Sequence, residues 1–471
     1  FMPVKDLPDN VDQGVLDQLS QIPGVTYQKW PARVYPAGPV TAHVVGYMSE
    51  ITEEELPELA KRGYEAGDSI GRTGIEAYAE EWLAGKRGGV LKLIAQDGST
   101  IRVLGETPAE PAHDIVLTID LELQQQAYDA LGDREGAAVV LDPNNGEVLT
   151  MVSRPSYDPN QFVLGVSDEY WAELNDPTKQ PLVNRATMTG TSTGSTFKVV
   201  TAAAGFLHLG LNQNSIVPCP GEFRLDGADA VWRDWVPGGQ GDLTMHNAIV
   251  RSCNTVFYRI GAELDQKGET LLADVARGFG FGQLTGLPEL FEVPGVVPDP
   301  NWKMEAVGDF WARGDAVNFA IGQGYFLATP LQLANAYAAL ANGGTLYQPH
   351  LTLDIVKLDG TVVKSGEVKE NGKLPINAEQ INWIRSALYD VINASNGTAT
   401  EAFAGIQQPV SGKTGTQENS GNDSAWFAAY TPSDAPGMTT VITVRYGGAG
   451  SKAAAPVARQ IIDKWWAIRN Q

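Results

Sequence analysis

The sequence predicts a multidomain α+β protein, with a smaller domain over residues 1–112 and a larger one over 113–471. Three observations lead there. The chain has 471 residues, more than a single hydrophobic core serves well. The stretch ETPAEPAHD at 106–114 is rich in proline and acid and reads as a linker. Beyond it, strand patterns lie at both ends of the region and helical patterns fill the middle. Strands distant in the chain are therefore expected to close one sheet, with helices packed against it.

Taken in order, the first region is short-period. ITEEELPELAKRGY (51–64) and IEAYAEEWLAG (75–85) predict amphipathic helices, the second closed by Gly85. GVLKLIAQDGSTIRVLG (89–105) predicts a hairpin turning at Asp97-Gly98. In the second region IVLTIDLELQQQAYDAL (115–131) is a strand running into a helix. GAAVVLDPNNGEVLTMVS (136–153) is a hairpin whose turn is DPNNG. A helix follows over 195–210. ATPLQLANAYAALANGG (328–344) is another, with Thr329 suited to the N-cap, Pro330 to the first position and Gly343-Gly344 to the exit. AWFAAYTP (425–432) and MTTVITVRY (438–446) are strands joined by SDAPG, and PVARQIIDKWWAIRN (456–470) is a helix. No internal repeat or low-complexity tract interrupts this order.

Composition narrows the function classes. A net charge of −22 argues against nucleic acid, because phosphate contacts need clustered Lys and Arg. His43, His113, His208, His246 and His350 are scattered and form no H-E-x-x-H pair, so no metal or other cofactor is implied. The two cysteines, Cys219 and Cys253, fit either one disulfide in an oxidising compartment or two free thiols.

Chemistry concentrates in three short patterns. In TGSTFKVVTAAAGFL (193–207), Ser195 and Lys198 stand three apart at the head of an apolar segment. On a helix such residues share a face. A desolvated lysine loses proton affinity and can take the hydroxyl proton of a serine. Gly194 allows a tight entry, and the first-turn amides are free for an oxyanion. Alone, the pair fits a capped helix with an outstretched lysine better than it fits a catalytic pair. RSCNTVF offers Ser252 and Asn254, a hydroxyl to relay a proton and an amide to hold a peptide; Ser420 and Asn422 repeat the spacing. SGKTGTQE (411–418) places Lys413, Thr414, Gly415 and Thr416 at the start of a strand, where an extended peptide could pair. A polar edge strand built against aggregation would read the same way.

Together the patterns match the S-x-x-K, S-D-N and K-T-G set of penicillin-binding proteins and class A β-lactamases, in that order. The order selects Ser252 over Ser420. Cys253 departs from S-D-N, which weakens the β-lactamase reading. RVYPAGPVTAHVVGYMSEI (33–51), GDSIGRTGIEAYAEEWLAGKRG (67–88), DIVLTIDLELQQQAYDAL (114–131), HNAIVRSCNTVFYRIG (246–261) and AIGQGYFLATPLQLANAYAALANGG (320–344) extend the likeness. The chain resembles the extracytoplasmic portion of a class B penicillin-binding protein.

That resemblance implies a penicillin-recognising serine transpeptidase fold, an antiparallel sheet flanked by helices, behind a smaller N-terminal pedestal or dimerisation-like domain. It implies a D,D-transpeptidase acting on the D-Ala-D-Ala end of peptidoglycan stem peptides, inhibited by β-lactam antibiotics. Ser195 would be the nucleophile, Lys198 the base and Ser252 the proton relay. Asn254 would hold the donor peptide, and Lys413, Thr414, Gly415 and Thr416 would receive its carboxylate. The N–H groups of Ser195 and Thr416 would form the oxyanion hole. A membrane glycan polymerase is the implied partner. No run of about 18 apolar residues is present, so the resemblance implies a membrane anchor outside this chain. In that compartment a Cys219–Cys253 disulfide becomes possible, beside Ser252. Alternatives of the same fold are a β-lactam hydrolase or sensor and a D,D-carboxypeptidase; of another class, a non-catalytic scaffold for wall synthesis.

Overall fold

The computed structural model describes residues 7, 10–27, 32–163, 165–227 and 229–470. They form two compact units, one of residues 1–112 with 156–182, the other of 113–155 with 183–471. Residues 156–182, left by the sequence reading in the larger domain, thus pack with the first unit. The reason is apolar: Tyr157, Phe162 and Leu174 bury themselves with Ala42 and are flanked by Tyr47 and Tyr170. Tyr47 and Phe162 stack with ring centroids 3.8 Å apart.

In the first unit the hairpin is present as Gly89–Ile94 and Thr100–Thr107. The two amphipathic helices are not continuous. Residues 51–64 contain only Leu56–Leu59 and a 3-10 turn at Ala60–Arg62. Residues 75–85 break into Gly74–Tyr78 and Glu80–Leu83. Pieces of four or five residues fall below the length at which helix propagation repays nucleation.

The second unit is centred on a five-stranded sheet with smaller sheets around it, and the strand expected at 115 pairs, as Asp114–Leu117, in one of the smaller ones. Helix α1 (Leu121–Leu131) is capped by Asp120, whose side chain accepts from Leu123 N–H. Strands β1 (Gly136–Leu141) and β2 (Val148–Arg154) form the expected hairpin. The middle supplies α2 (Lys198–His208), α3 (Asn254–Lys267), α4 (Pro330–Asn342) and α5 (Ala378–Asn393). The sheet then gains β3 (Ser411–Gln417), β4 (Ser424–Thr431) and β5 (Met438–Val444) before the final helix α6 (Gly450–Arg469). Spatial order is β3-β4-β5-β1-β2, antiparallel throughout.

Side chains alternate across this sheet. Ala138, Val140, Phe427 and Ile442 meet Leu123 and Ala127 of α1 and Val457, Ile461 and Trp465 of α6. α4 also packs on β5 and β1. With both faces covered, the strands read as near-continuous apolar runs instead of alternating ones. α4 carries the predicted punctuation, a reciprocal Thr329–Gln332 capping box and Gly343 in the left-handed region. α6 begins six residues before the predicted start and holds Pro456 inside it. Proline removes one helical N–H, and burial of Ala454, Ala455, Val457 and Ala458 offsets that loss. β3 lies at the edge of the sheet, leaving one side of its backbone without a strand neighbour.

Candidate active site

Ser195 sits in a 3-10 turn, Gly194–Phe197, and Lys198 opens α2 directly after it. The sequence reading drew one helix over both. A 3-10 turn suits the pair, because residues three apart eclipse in it. The turn is fixed from every side. Gly194 has φ +55°, and a Cβ there would lie 2.2 Å from Thr416 O, so only glycine brings the turn this close to β3. Its N–H donates to Gly322 O at 3.0 Å. Tyr337 Oη of α4 donates to Thr196 O at 2.9 Å. Phe197 is fully buried against Phe319 and Phe326.

Lys198 and Lys413 are both without solvent exposure, which is costly for two cations. Lys198 Nζ donates to Ser252 O at 2.8 Å, to Asn254 Oδ1 at 2.6 Å and to Ser252 Oγ at 3.2 Å. Lys413 Nζ donates to the same Ser252 Oγ at 2.9 Å and to Thr414 O at 3.1 Å. One hydroxyl therefore bridges two amines no more than about 6 Å apart. Burial, and then the charge of Lys413, holds the proton affinity of Lys198 well below that of an ordinary lysine, while Asp234 and Glu418 oppose this. Burial pushes Lys413 down to about 7. Near neutral pH the cluster has neutral-amine character, which a base for a serine hydroxyl requires.

The structure thus brings Lys198, Ser252, Asn254 and Lys413 into direct contact. Ser195 Oγ, half-buried, makes no hydrogen bond among the described residues; catalytic contacts commonly tighten only on substrate. Asn254 gives its carbonyl to Lys198 and its amide N–H to Arg233 O at 3.3 Å. Gly415 faces the serine turn, where a Cβ would lie 2.5 Å from Thr193 O. Thr414 Oγ1 is 2.8 Å from Thr398 Oγ1. Thr416 Oγ1 accepts from Gly450 N–H at 3.4 Å, and its carbonyl accepts from Gln323 Nε2 at 3.1 Å. Ser420 and Asn422 lie exposed beyond the end of β3.

Cys219 and Cys253 are joined as a disulfide, so of the two readings left open by the sequence the paired one holds. Ligand atoms of Cys219, Asp234 and Cys253 lie within 4.8 Å of one another, but both sulfurs are spent on each other and offer no thiolate. The sequence reading missed Asp234, Gln323 and Thr398. Each enters the site from a loop; Asp234 and Thr398 carry no motif, and Gln323 lies in the family-like stretch 320–344, where nothing marked it as a site residue.

Residues 136–463 match the penicillin binding protein transpeptidase domain, and residues 2–117 match the penicillin-binding protein dimerisation domain. The chain belongs to the class B penicillin-binding proteins. This penicillin-binding protein is 34% identical over 471 residues to the peptidoglycan D,D-transpeptidase MrdA of Haemophilus influenzae, covering 94% of the chain and 70% of that protein. It is 35% identical to Pseudomonas aeruginosa PBP2, solved in complex with WCK 5153, with a TM-score of 0.81 and coverage of 92% and 90%. It is 31% identical to a chain of a peptidoglycan synthase complex that coordinates polymerization and crosslinking, with a TM-score of 0.81 and coverage of 98% and 80%. No helix among the described residues is long and apolar enough to cross a membrane.

Proposed function

We propose that this class B penicillin-binding protein is a peptidoglycan D,D-transpeptidase working through a serine acyl-enzyme. The observation that carries the reading is the hydroxyl of Ser252, hydrogen-bonded to the buried amines of Lys198 and Lys413. Lys198 takes the proton of Ser195 Oγ, which attacks the penultimate carbonyl of a D-Ala-D-Ala stem peptide. The developing oxyanion meets the N–H groups of Ser195 and Thr416. As the C–N bond breaks, Ser252 relays a proton to the departing D-alanine amine. Asn254 holds the donor peptide, which lies along the free edge of β3. Lys413, Thr414 and Thr416 receive its terminal carboxylate. An amine from a second strand then displaces Ser195 and forms the crosslink.

β-Lactams acylate the same serine, because they present a strained amide and a carboxylate at similar spacing. The protein acts outside the cytoplasm, at the membrane surface, and works beside a membrane glycan polymerase. Support for the last point is the likeness to a synthase complex that couples polymerization and crosslinking. The test is intact mass and peptide mapping after benzylpenicillin. One stable adduct on the Ser195 peptide is expected, and none in Ser195→Ala. No adduct, or one elsewhere, overturns the mechanism; rapid release of hydrolysed penicillin would assign a hydrolase instead.

A further inference from the structure

We propose that Asp234 is a positioning residue of the acylation machinery, holding the backbone of Asn254 so that Ser252 and Asn254 meet the amine of Lys198. The proposal rests on the transpeptidase reading above. Asp234 follows the short strand Val231–Arg233, and its own N–H donates to Gly221 O at 3.0 Å. Its carboxylate is buried, with 7% of the residue exposed. Oδ2 accepts from Asn254 N–H at 2.6 Å. Oδ1 accepts from Val236 N–H at 2.9 Å and from Gln240 Nε2 at 3.0 Å.

Asn254 is the first residue of α3, where backbone N–H groups have no partner inside the helix. The preceding Cys253 supplies no capping side chain. Asp234, twenty residues upstream, supplies the missing acceptor, and a carboxylate at that end also suits the helix dipole. The clamp closes on itself, since Asn254 Nδ2 donates to Arg233 O, the residue just before Asp234. The other end of the same amide receives Lys198.

The held segment needs holding. Ser252 has φ +53°, a left-handed conformation that a serine adopts only when its surroundings impose it. Both its carbonyl and its hydroxyl point at Lys198. The Cys219–Cys253 disulfide and the bond from Thr255 Oγ1 to Pro220 O tie the same turn from its other side. Those ties keep the turn attached when Asp234 is altered, so Asp234 sets its aim. The charged groups acting on Lys198 are Lys413, Asp234 and Glu418, and the ring of Phe257 lies 5.4 Å from Nζ.

The test compares wild type, Asp234→Asn and Gln240→Leu by the rate of fluorescent penicillin labelling at Ser195 between pH 5 and 9. Folded fraction is followed by thermal melting. Asp234→Asn is expected to label about ten- to a hundredfold more slowly, the loss of one hydrogen bond to a buried charge. Its acid limb should move to lower pH, because removing a negative charge lets Lys198 lose its proton earlier. Gln240→Leu removes one donor from Oδ1 and keeps the charge. It should label about two- to fivefold more slowly with the limb unmoved. Wild-type rate and limb in Asp234→Asn overturn the proposal. So does a loss matched by unfolding with the limb in place. Should Asp234→Asn not fold, a wild-type rate in Gln240→Leu overturns it. A wild type that takes no label removes the transpeptidase reading itself, whereas a labelled wild type with indifferent variants removes only the role of Asp234.

Discussion

Lys413 and Ser252 show what the site costs the fold. Below pH 7 the native protein holds the Lys413 ammonium out of water. Above it the native amine is neutral, while the unfolded chain keeps its proton until near 10.5. Across that window the unfolded state binds more protons, so stability contributed by this group rises with pH. Replacing Lys413 by Met should therefore stabilise the protein at pH 6 by on the order of a few kcal/mol. The gain should shrink toward pH 9 in urea unfolding, and a gain independent of pH would contradict the assignment. The same substitution should abolish penicillin labelling at every pH. At this scale the sequence pointed to residues and left their roles to the family resemblance. Ser195, Lys198 and the Lys413 strand were legible only as an ordered set, since each motif alone also fits a structural role. Asp234 and Thr398 were not, because their partners at Asn254 and Thr414 are met only after folding.

Among the elements, the serine turn and β3 behave as one part. Gly194 and Gly415 remove the two side chains that would hold them apart. Gly194→Ala places a methyl on a carbonyl and a left-handed φ on alanine. It is expected to cost about 2 kcal/mol or more of stability. Penicillin labelling should slow by about a hundredfold, since a misplacement of about 1 Å suffices for that. Stopped-flow labelling with a parallel thermal melt checks both; an unaltered rate would show that the turn does not depend on its closeness to β3. Strands and capped helices were read correctly where they were long or well punctuated, as at α4. The misses fell on short pieces in the first unit, on the 3-10 turn at Ser195, and on the start of α6, where a proline marked a false boundary because packing outweighs one lost hydrogen bond.

For the molecule as a whole, chain order and compact unit do not coincide. Residues 156–182 leave the second unit after β2 and return to it at 183. A fragment of residues 113–471 would keep this excursion and lose Ala42 and Tyr47, which cover Tyr157 and Phe162. Such a fragment should bind the dye ANS and aggregate more readily than the full chain. Grafting a short Gly-Ser link in place of 156–182 should reverse this, as tested by ANS fluorescence and light scattering. Equal dye binding in both fragments would show that the excursion needs no cover. Sequence alone gave no warning, because a segment bound to a distant partner reads like any other amphipathic stretch.

The pairing of β5 with β1 makes closure of the sheet a late step in folding. Val441 lies opposite Val139, about 300 residues earlier. As the chain folds, the hairpin of β1 and β2 keeps one flank bare until a strand nearly the whole second unit away pairs with it. Ser195, Lys198 and Ser252 all lie within that span of chain, so the sheet they pack around is complete only once β5 has closed on β1.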